Sequence, residues 1–106
     1  MINRAVLTGR LTKDIELRNT VTGTSVASFA LAVARSVVRE GQQEADFVNC
    51  VVWGRLAETM NRYLHKGSLI GIEGRIQTRN YDDHGTTRYV TEVVVDNFSF
   101  LEKAER

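Results

Sequence analysis

Residues 45–81 read ADFVNCVVWGRLAETMNRYLHKGSLIGIEGRIQTRNY, and the spacing of apolar side chains changes twice along this stretch. From Ala45 to Trp53 the period is two, with Val48, Cys50 and Val52 on one side and Phe47, Asn49, Val51 and Trp53 on the other, as in a strand. From Arg55 to Lys66, Leu56, Met60, Tyr63 and Leu64 recur at spacings of three and four, which is one stripe of a helix. Gly67 follows as the expected C-cap, and Lys66 sits in the expected last turn, where a cation is favoured. From Ser68 to Tyr81 the period returns to two. The stretch therefore predicts strand, helix, strand.

Working outward, Asn3 to Leu11 reads as a first strand and Asn19 to Thr24 as a turn. Val26 to Arg35 reads as a second strand in which Phe29, Leu31 and Val33 are large while Ser28, Ala30, Ala32 and Ala34 are small. Large on one face and small on the other suits the curved wall of a small barrel, with a sandwich strand as the alternative. Val37 to Glu44 is polar around Gly41 and reads as a hairpin loop. After Tyr81, Asp82-Asp83-His84-Gly85 reads as a turn and Arg88 to Leu101 as a last strand with a break near Asp96-Asn97. The order β-β-β-α-β-β predicts an all-β fold, a five-stranded OB-fold Greek-key barrel with one α-helix between the third and fourth strands.

The 106 residues suffice for one domain, read as 1–101 with a short charged end at 102–106. A 42% apolar and 25% charged composition is that of a folded globular protein. The net charge of +1 neither marks nor excludes a nucleic-acid binder, but the charge is unevenly placed: up to Arg39 there are six cations against Asp14 and Glu16. The single Cys50 cannot form an intrachain disulfide, and with two histidines it cannot build a zinc cluster. The expectation is an intracellular, cytoplasmic protein with no metal and no cofactor. No apolar run has the length of a membrane span, and Met1-Ile2-Asn3-Arg4 does not open a signal peptide, so no membrane partner is expected. Proline is absent, which removes any proline-rich linker.

The two faces of the strands carry different chemistry. Burying an aromatic side chain gains roughly 1.5–3 kcal/mol, so Phe47 and Trp53 on the outward set of their strand need a reason to be there. A subunit interface or a covering loop is one; a platform for unpaired bases is the other. In the strand from Ser68, Ile70, Ile72, Gly74 and Ile76 form the inward set, and Arg75, Arg79 and Tyr81 share the opposite face. In the first strand Arg4, Thr8 and Arg10 share a face. Aromatics interleaved with cations are what single-strand binding needs, because every base has a π-face and every phosphate a charge.

Two other classes compete with this one. For an enzyme, the polar candidates are Asp82-Asp83-His84 and Cys50. The first has the composition of a hairpin turn. The second alternates with Val48 and Val52 as a small core residue does, and Gly71 and Gly74 lie within a strand rather than in a phosphate-cradling loop. For an interaction module, the outward aromatics would be buried against a partner protein or structured RNA.

Several blocks in the same order and spacing give the chain a wider resemblance. Met1 to Asp14 (MINRAVLTGRLTKD), Ala45 to Glu58 (ADFVNCVVWGRLAE), Lys66 to Ile70, Gly74 to Tyr81 and Tyr89 to Val94 resemble the family of bacterial single-stranded DNA-binding proteins, over Met1 to about Leu101. The resemblance implies an OB-fold that assembles as a homotetramer, with a homodimer as fallback. It implies sequence-independent binding and protection of single-stranded DNA in replication, recombination and repair, without catalysis, in bacterial cytoplasm or the host's cytoplasm for a phage- or plasmid-encoded form. Its stacking aromatics fall at Phe47, Trp53 and Tyr81. The cations expected on phosphates are Arg4, Arg10, Arg75 and Arg79, then Lys13, Arg18, Arg35, Arg55 and Arg88. Arg35-Ser36-Val37-Val38 has no aromatic where the family commonly has one, and Ile15 and Val21 stand where it has proline. The family continues into a flexible linker and an acidic tip that recruits other proteins. This sequence ends at Glu102-Lys103-Ala104-Glu105-Arg106. The expectation is a short paralogue or a trimmed DNA-binding core, with no tail-mediated recruitment assigned to it.

Overall fold

The computed structural model describes residues 1–102. Its elements are β1 (Ala5–Leu11), β2 (Glu16–Asn19), β3 (Ser25–Ala34), β4 (Ala45–Trp53), α1 (Arg55–Tyr63), β5 (Leu69–Asp83) and β6 (Thr86–Phe100). The strands follow the order β1-β5-β6-β4-β3-β2. A further pairing of Arg10 and Leu11 with Ala32 and Leu31 joins β1 to β3 and closes five strands into a barrel. This is the expected all-β OB-fold. The helix lies between the fourth and fifth strands rather than the third and fourth, because the short β2 adds a strand along the outer edge of β3.

The interior is built from the inward residues of the barrel strands. Leu11, Ala27, Phe29, Leu31, Cys50, Val52, Ile70, Ile72, Val93 and Val95 are buried in one cluster, and α1 adds Ala57 and Met60. The large set of β3 faces in, and the small set faces out. Beside the core cluster, Val26, Val51 and Val94 form a second buried cluster. Val51 is thus covered although it belongs to the outward set of β4.

Three local features differ from the sequence reading, each for a physical reason. The helix ends at Tyr63, and Leu64 is already extended (φ −109°, ψ 149°). Gly67, at φ 89°, does not cap the helix; it belongs to the turn in which the Ser68 N–H donates to the His65 carbonyl, and a positive φ suits glycine there. Ile76 is exposed rather than inward. β1 begins at Ala5, which pairs with Gly74, so Ile76 lies past the end of the neighbouring strand. The Asn3 side chain stands in for a strand residue there, donating to the Ile76 carbonyl and accepting from its N–H, both at 2.8 Å.

Asp82 and Asp83 extend β5, and the turn shrinks to His84 (φ 51°) and Gly85 (φ 84°), the left-handed pair of a two-residue hairpin. The expected break near Asp96 is a bulge: Glu73 pairs with Asn97 and Gly74 with Val95, leaving Asp96 over. Gly74 permits this close approach, since a Cβ there would meet the Val94 carbonyl oxygen at 2.0 Å. Of the charged end at 102–106, Glu102 is described; 103–106 lie outside the described residues.

Candidate nucleic-acid interface

The strand register collects the candidate residues on one face. Directly paired residues on adjacent strands point to the same side. Trp53 pairs with Val26, and Val26 with Arg18, giving a row from β4 to the edge strand. Asn49 pairs with Ala30, and Phe47 with Ala32, so Phe47 stands beside a small residue of β3 that leaves its ring open, while Trp53 stands beside Val26. Val51 pairs with Val94, and Val94 with Arg75. Alternate residues from there put Gln77, Arg79 and Tyr81 of β5, with Glu92, Val90 and Arg88 of β6, on the same outward face.

Phe47 is 62%, Trp53 48% and Tyr81 47% exposed. Arg55 opens α1 two residues after Trp53. A groove of about 540 Å³ runs over this face, lined among others by Lys13, Ser28, Ala30, Asn49, Arg79 and Tyr81. Arg4 and Arg10 lie on the outer side of β1, where Arg10 pairs with Ala32, the partner of Phe47, and Arg4 shares Asp96 with Arg75.

The expected phosphate-binding cations fall into two groups. Arg4 reaches Glu73 at 3.0 Å and Asp96 at 3.5 Å, and Arg75 reaches Asp96 at 3.4 Å. Arg10 is 2.6 Å from Glu102. Arg35 grips Asp46 with two nitrogens, at 2.7 and 3.2 Å, which holds the Asp46 carboxyl below its ordinary range. Arg79 meets Glu92 at 2.8 Å and Arg88 meets Asp83 at 3.3 Å. Lys13, Arg18 and Arg55 make no ion pair among the described residues. An exposed pair, such as those of Arg4, Arg10, Arg75 and Arg88, contributes about 0–1 kcal/mol and would yield its carboxylate to an anion at small cost, whereas breaking the Arg79 pair would strand the buried Glu92 carboxylate and cost more. The pairing was not readable from the sequence, because Arg4 and its partners are 69 and 92 positions apart.

Glu92 was not singled out from the sequence, and its only signal there is alternation with Val90 and Val94. It is the buried charged residue of this face, 6% exposed. Its Oε1 accepts from Arg79 Nε and Gln77 Nε2, both at 2.8 Å. Burial pushes its carboxyl up, but the hydrogen bonds from Arg79 and Gln77 and the Arg79 charge prevail and hold it below the ordinary range. Burial, helped by the Glu92 charge, pushes the Cys50 thiol up to about 12. Cys50 is therefore a protonated core thiol at neutral pH, unsuited to nucleophilic work. Asp83 and His84 approach at 3.7 Å with His84 almost wholly exposed, and the third group at this hairpin tip is Arg88 on Asp83, a cation that is neither base nor nucleophile. Among the described residues no cluster of metal ligands occurs, and no helix is long and apolar enough to cross a membrane.

Residues 2–101 match the single-strand binding protein family. The chain belongs to that family. It is 57% identical over 104 residues to a single-stranded DNA-binding protein of Lactiplantibacillus plantarum, covering 96% of this chain and 52% of the relative. It is 59% identical over 103 residues to single-stranded DNA-binding protein 3 of Clostridium acetobutylicum, covering 95% and 72%. It is 55% identical over 104 residues to single-stranded DNA-binding protein 1 of Staphylococcus aureus, covering 96% and 67%. The chain thus spans about half to three quarters of these relatives. The family and these relatives are named for binding, and none of the names denotes a catalysed reaction.

Proposed function

We propose that the protein binds single-stranded DNA with little sequence preference and performs no reaction on it. The observation that carries this reading is the single outward face on which the register gathers three exposed aromatics, the groove and a row of cations. Phe47, Trp53 and Tyr81 stack on bases, each contributing about 1–3 kcal/mol. Lys13, Arg18 and Arg55 meet phosphates directly. Arg4, Arg10, Arg35, Arg75 and Arg88 meet them by exchanging a carboxylate for a phosphate, and Arg79 meets them with the nitrogens that its Nε bond to Glu92 leaves over. Membership of a family named for single-strand binding, and relatives named in the same way, support the ligand.

The domain is residues 1–101, with 102–106 a short charged end. It works as a homotetramer, or failing that a homodimer, in the cytoplasm, protecting single strands during replication, recombination and repair. The open edge of β1 supports assembly: among the described residues β1 pairs with β5 from Ala5 to Arg10 but with β3 only at Arg10 and Leu11, so most of one edge is left for a second copy to pair with. Assembly also multiplies weak contacts along one strand of DNA.

The test is the affinity for labelled oligo(dT) at two salt concentrations, with duplex DNA and RNA of equal length as competitors, and light scattering beside it. The expected result is tight binding that weakens as salt rises, poor competition by duplex, and four protomers per particle. No binding to any of the three nucleic acids overturns the reading of the ligand, and a monomer at micromolar concentration overturns the assembly.

A further inference from the structure

Tyr63 belongs to the apolar stripe of α1 by spacing, yet it lies outside the core. Met60 and Leu64 are buried, whereas Tyr63 is 57% exposed. Its ring meets Phe100 edge to face at 6.3 Å, and Phe100 meets Phe98 at 5.1 Å. Tyr63, Phe100 and Leu69 wall a second groove of about 730 Å³, whose rim carries Arg10, His65 and Lys66. Arg10 is held by Glu102 and the Gly67 carbonyl, while Lys66 makes no ion pair among the described residues. Two cations against Glu102 leave the rim positive with the histidine neutral.

This groove adjoins the first. The Lys66 N–H donates to Asp14 Oδ1 at 2.7 Å, and Asp14 and Lys13 line the first groove. Backbone bonds from Gly67 to the Leu11 carbonyl and from Leu11 to the Ser68 carbonyl fasten the same contact. Residues 11–14 and the turn at 65–68 therefore form a low ridge between the grooves, with Lys13 on one side and Lys66 on the other.

We propose that the second groove is an accessory subsite for single-stranded DNA. A strand leaving the first groove crosses the ridge between Lys13 and Lys66 and sets its next bases on Tyr63 and Phe100. The inference rests on the single-strand reading above. It adds to it a stacking pair on a different surface from Phe47, Trp53 and Tyr81. Positive charge and open aromatic rings, continuous with the first groove, suit an extended polyanion carrying bases.

The test compares oligo(dT) short enough for one groove, about 6 nucleotides, with one long enough for both, about 16. The proteins are wild type, Tyr63→Ala, Phe100→Ala and Lys66→Glu. The expected result is a loss of roughly five- to a hundredfold in affinity for the long oligonucleotide in the aromatic variants and unchanged affinity for the short one. A bromodeoxyuridine-substituted long strand is expected to cross-link to Tyr63 or Phe100. If removing an aromatic unfolds the protein, Lys66→Glu decides, since it alters no packing and keeps the backbone bond to Asp14. Unchanged affinity for the long strand overturns the subsite, as does equal loss for both lengths. A drop in assembled mass with affinity per protomer retained makes the groove a subunit contact and also overturns it. If wild type binds neither length, the single-strand reading fails and the subsite with it.

Discussion

The two faces of β4 come from nine consecutive residues and differ in almost every physical respect. Cys50 and Val52 point inward and are sealed in the core, while Phe47 and Trp53 point outward and keep about half their surface open. One strand thus supplies folding energy on one side and, on the function proposed above, a binding surface on the other. The lesson is that the two contributions should separate: inward changes ought to act on stability and outward changes on affinity. The cations repeat the contrast: Lys13, Arg18 and Arg55 make no ion pair among the described residues, whereas Arg4 and Arg75 already hold carboxylates.

The largest effect expected is on the inner side. Leu31, fully buried and paired with Val48 of β4, should cost about 2–5 kcal/mol of stability when cut to alanine, measured by urea unfolding. DNA affinity of the folded fraction should not change. On the outer side, Trp53→Ala should lose about 1–3 kcal/mol of binding with the urea midpoint unmoved. A destabilisation of Trp53→Ala as large as that of Leu31→Ala would erase the contrast between the faces.

The cations sharpen the comparison further. Lys13→Ala and Arg18→Ala should each flatten the dependence of log affinity on log salt by about 0.7. Arg4→Ala should flatten it less, because the phosphate contact it removes is offset by the release of Glu73 and Asp96. Equal slopes for all three variants would mean that the ion pairs do not restrain Arg4.

The smallest effect concerns Glu92. Its carboxyl is held below the ordinary range in the folded protein. The resulting stability is present above the unfolded-state value and is lost as pH falls through the folded one. Urea midpoints measured from neutral pH down through about pH 4 should fall less steeply for Glu92→Gln than for wild type. Parallel curves would show that Arg79 and Gln77 do not bias this carboxyl.

How much of this was legible in the sequence depended on how cleanly each segment alternates. β4 was readable to its end residues because Val48, Cys50 and Val52 alternate with Phe47, Asn49 and Trp53, although Val51 on the outer side is covered too. β2 was missed because Glu16, Leu17, Arg18 and Asn19 are all exposed, so no buried face imprints a period; backbone pairing with β3 makes it a strand. The bulge at Asp96 left a trace as a break in the alternation. Ile76 misled because periodicity cannot tell where the neighbouring strand stops. Tyr63 misled in the same way, since a stripe is wider than the core it packs on. The stacking candidates were readable as outward aromatics, whereas the carboxylates that hold Arg4 and Arg10 come from distant segments and were not.

The central claim is that the outward face of β4 carries the DNA, and the single tryptophan of the chain sits on that face. The most direct measurement is a titration of Trp53 fluorescence with oligo(dT), with binding followed in parallel by the anisotropy of a dye on the DNA. The account predicts strong quenching that saturates together with the anisotropy. Full binding by anisotropy with Trp53 emission unchanged would contradict it, because the strand would then run along some other surface.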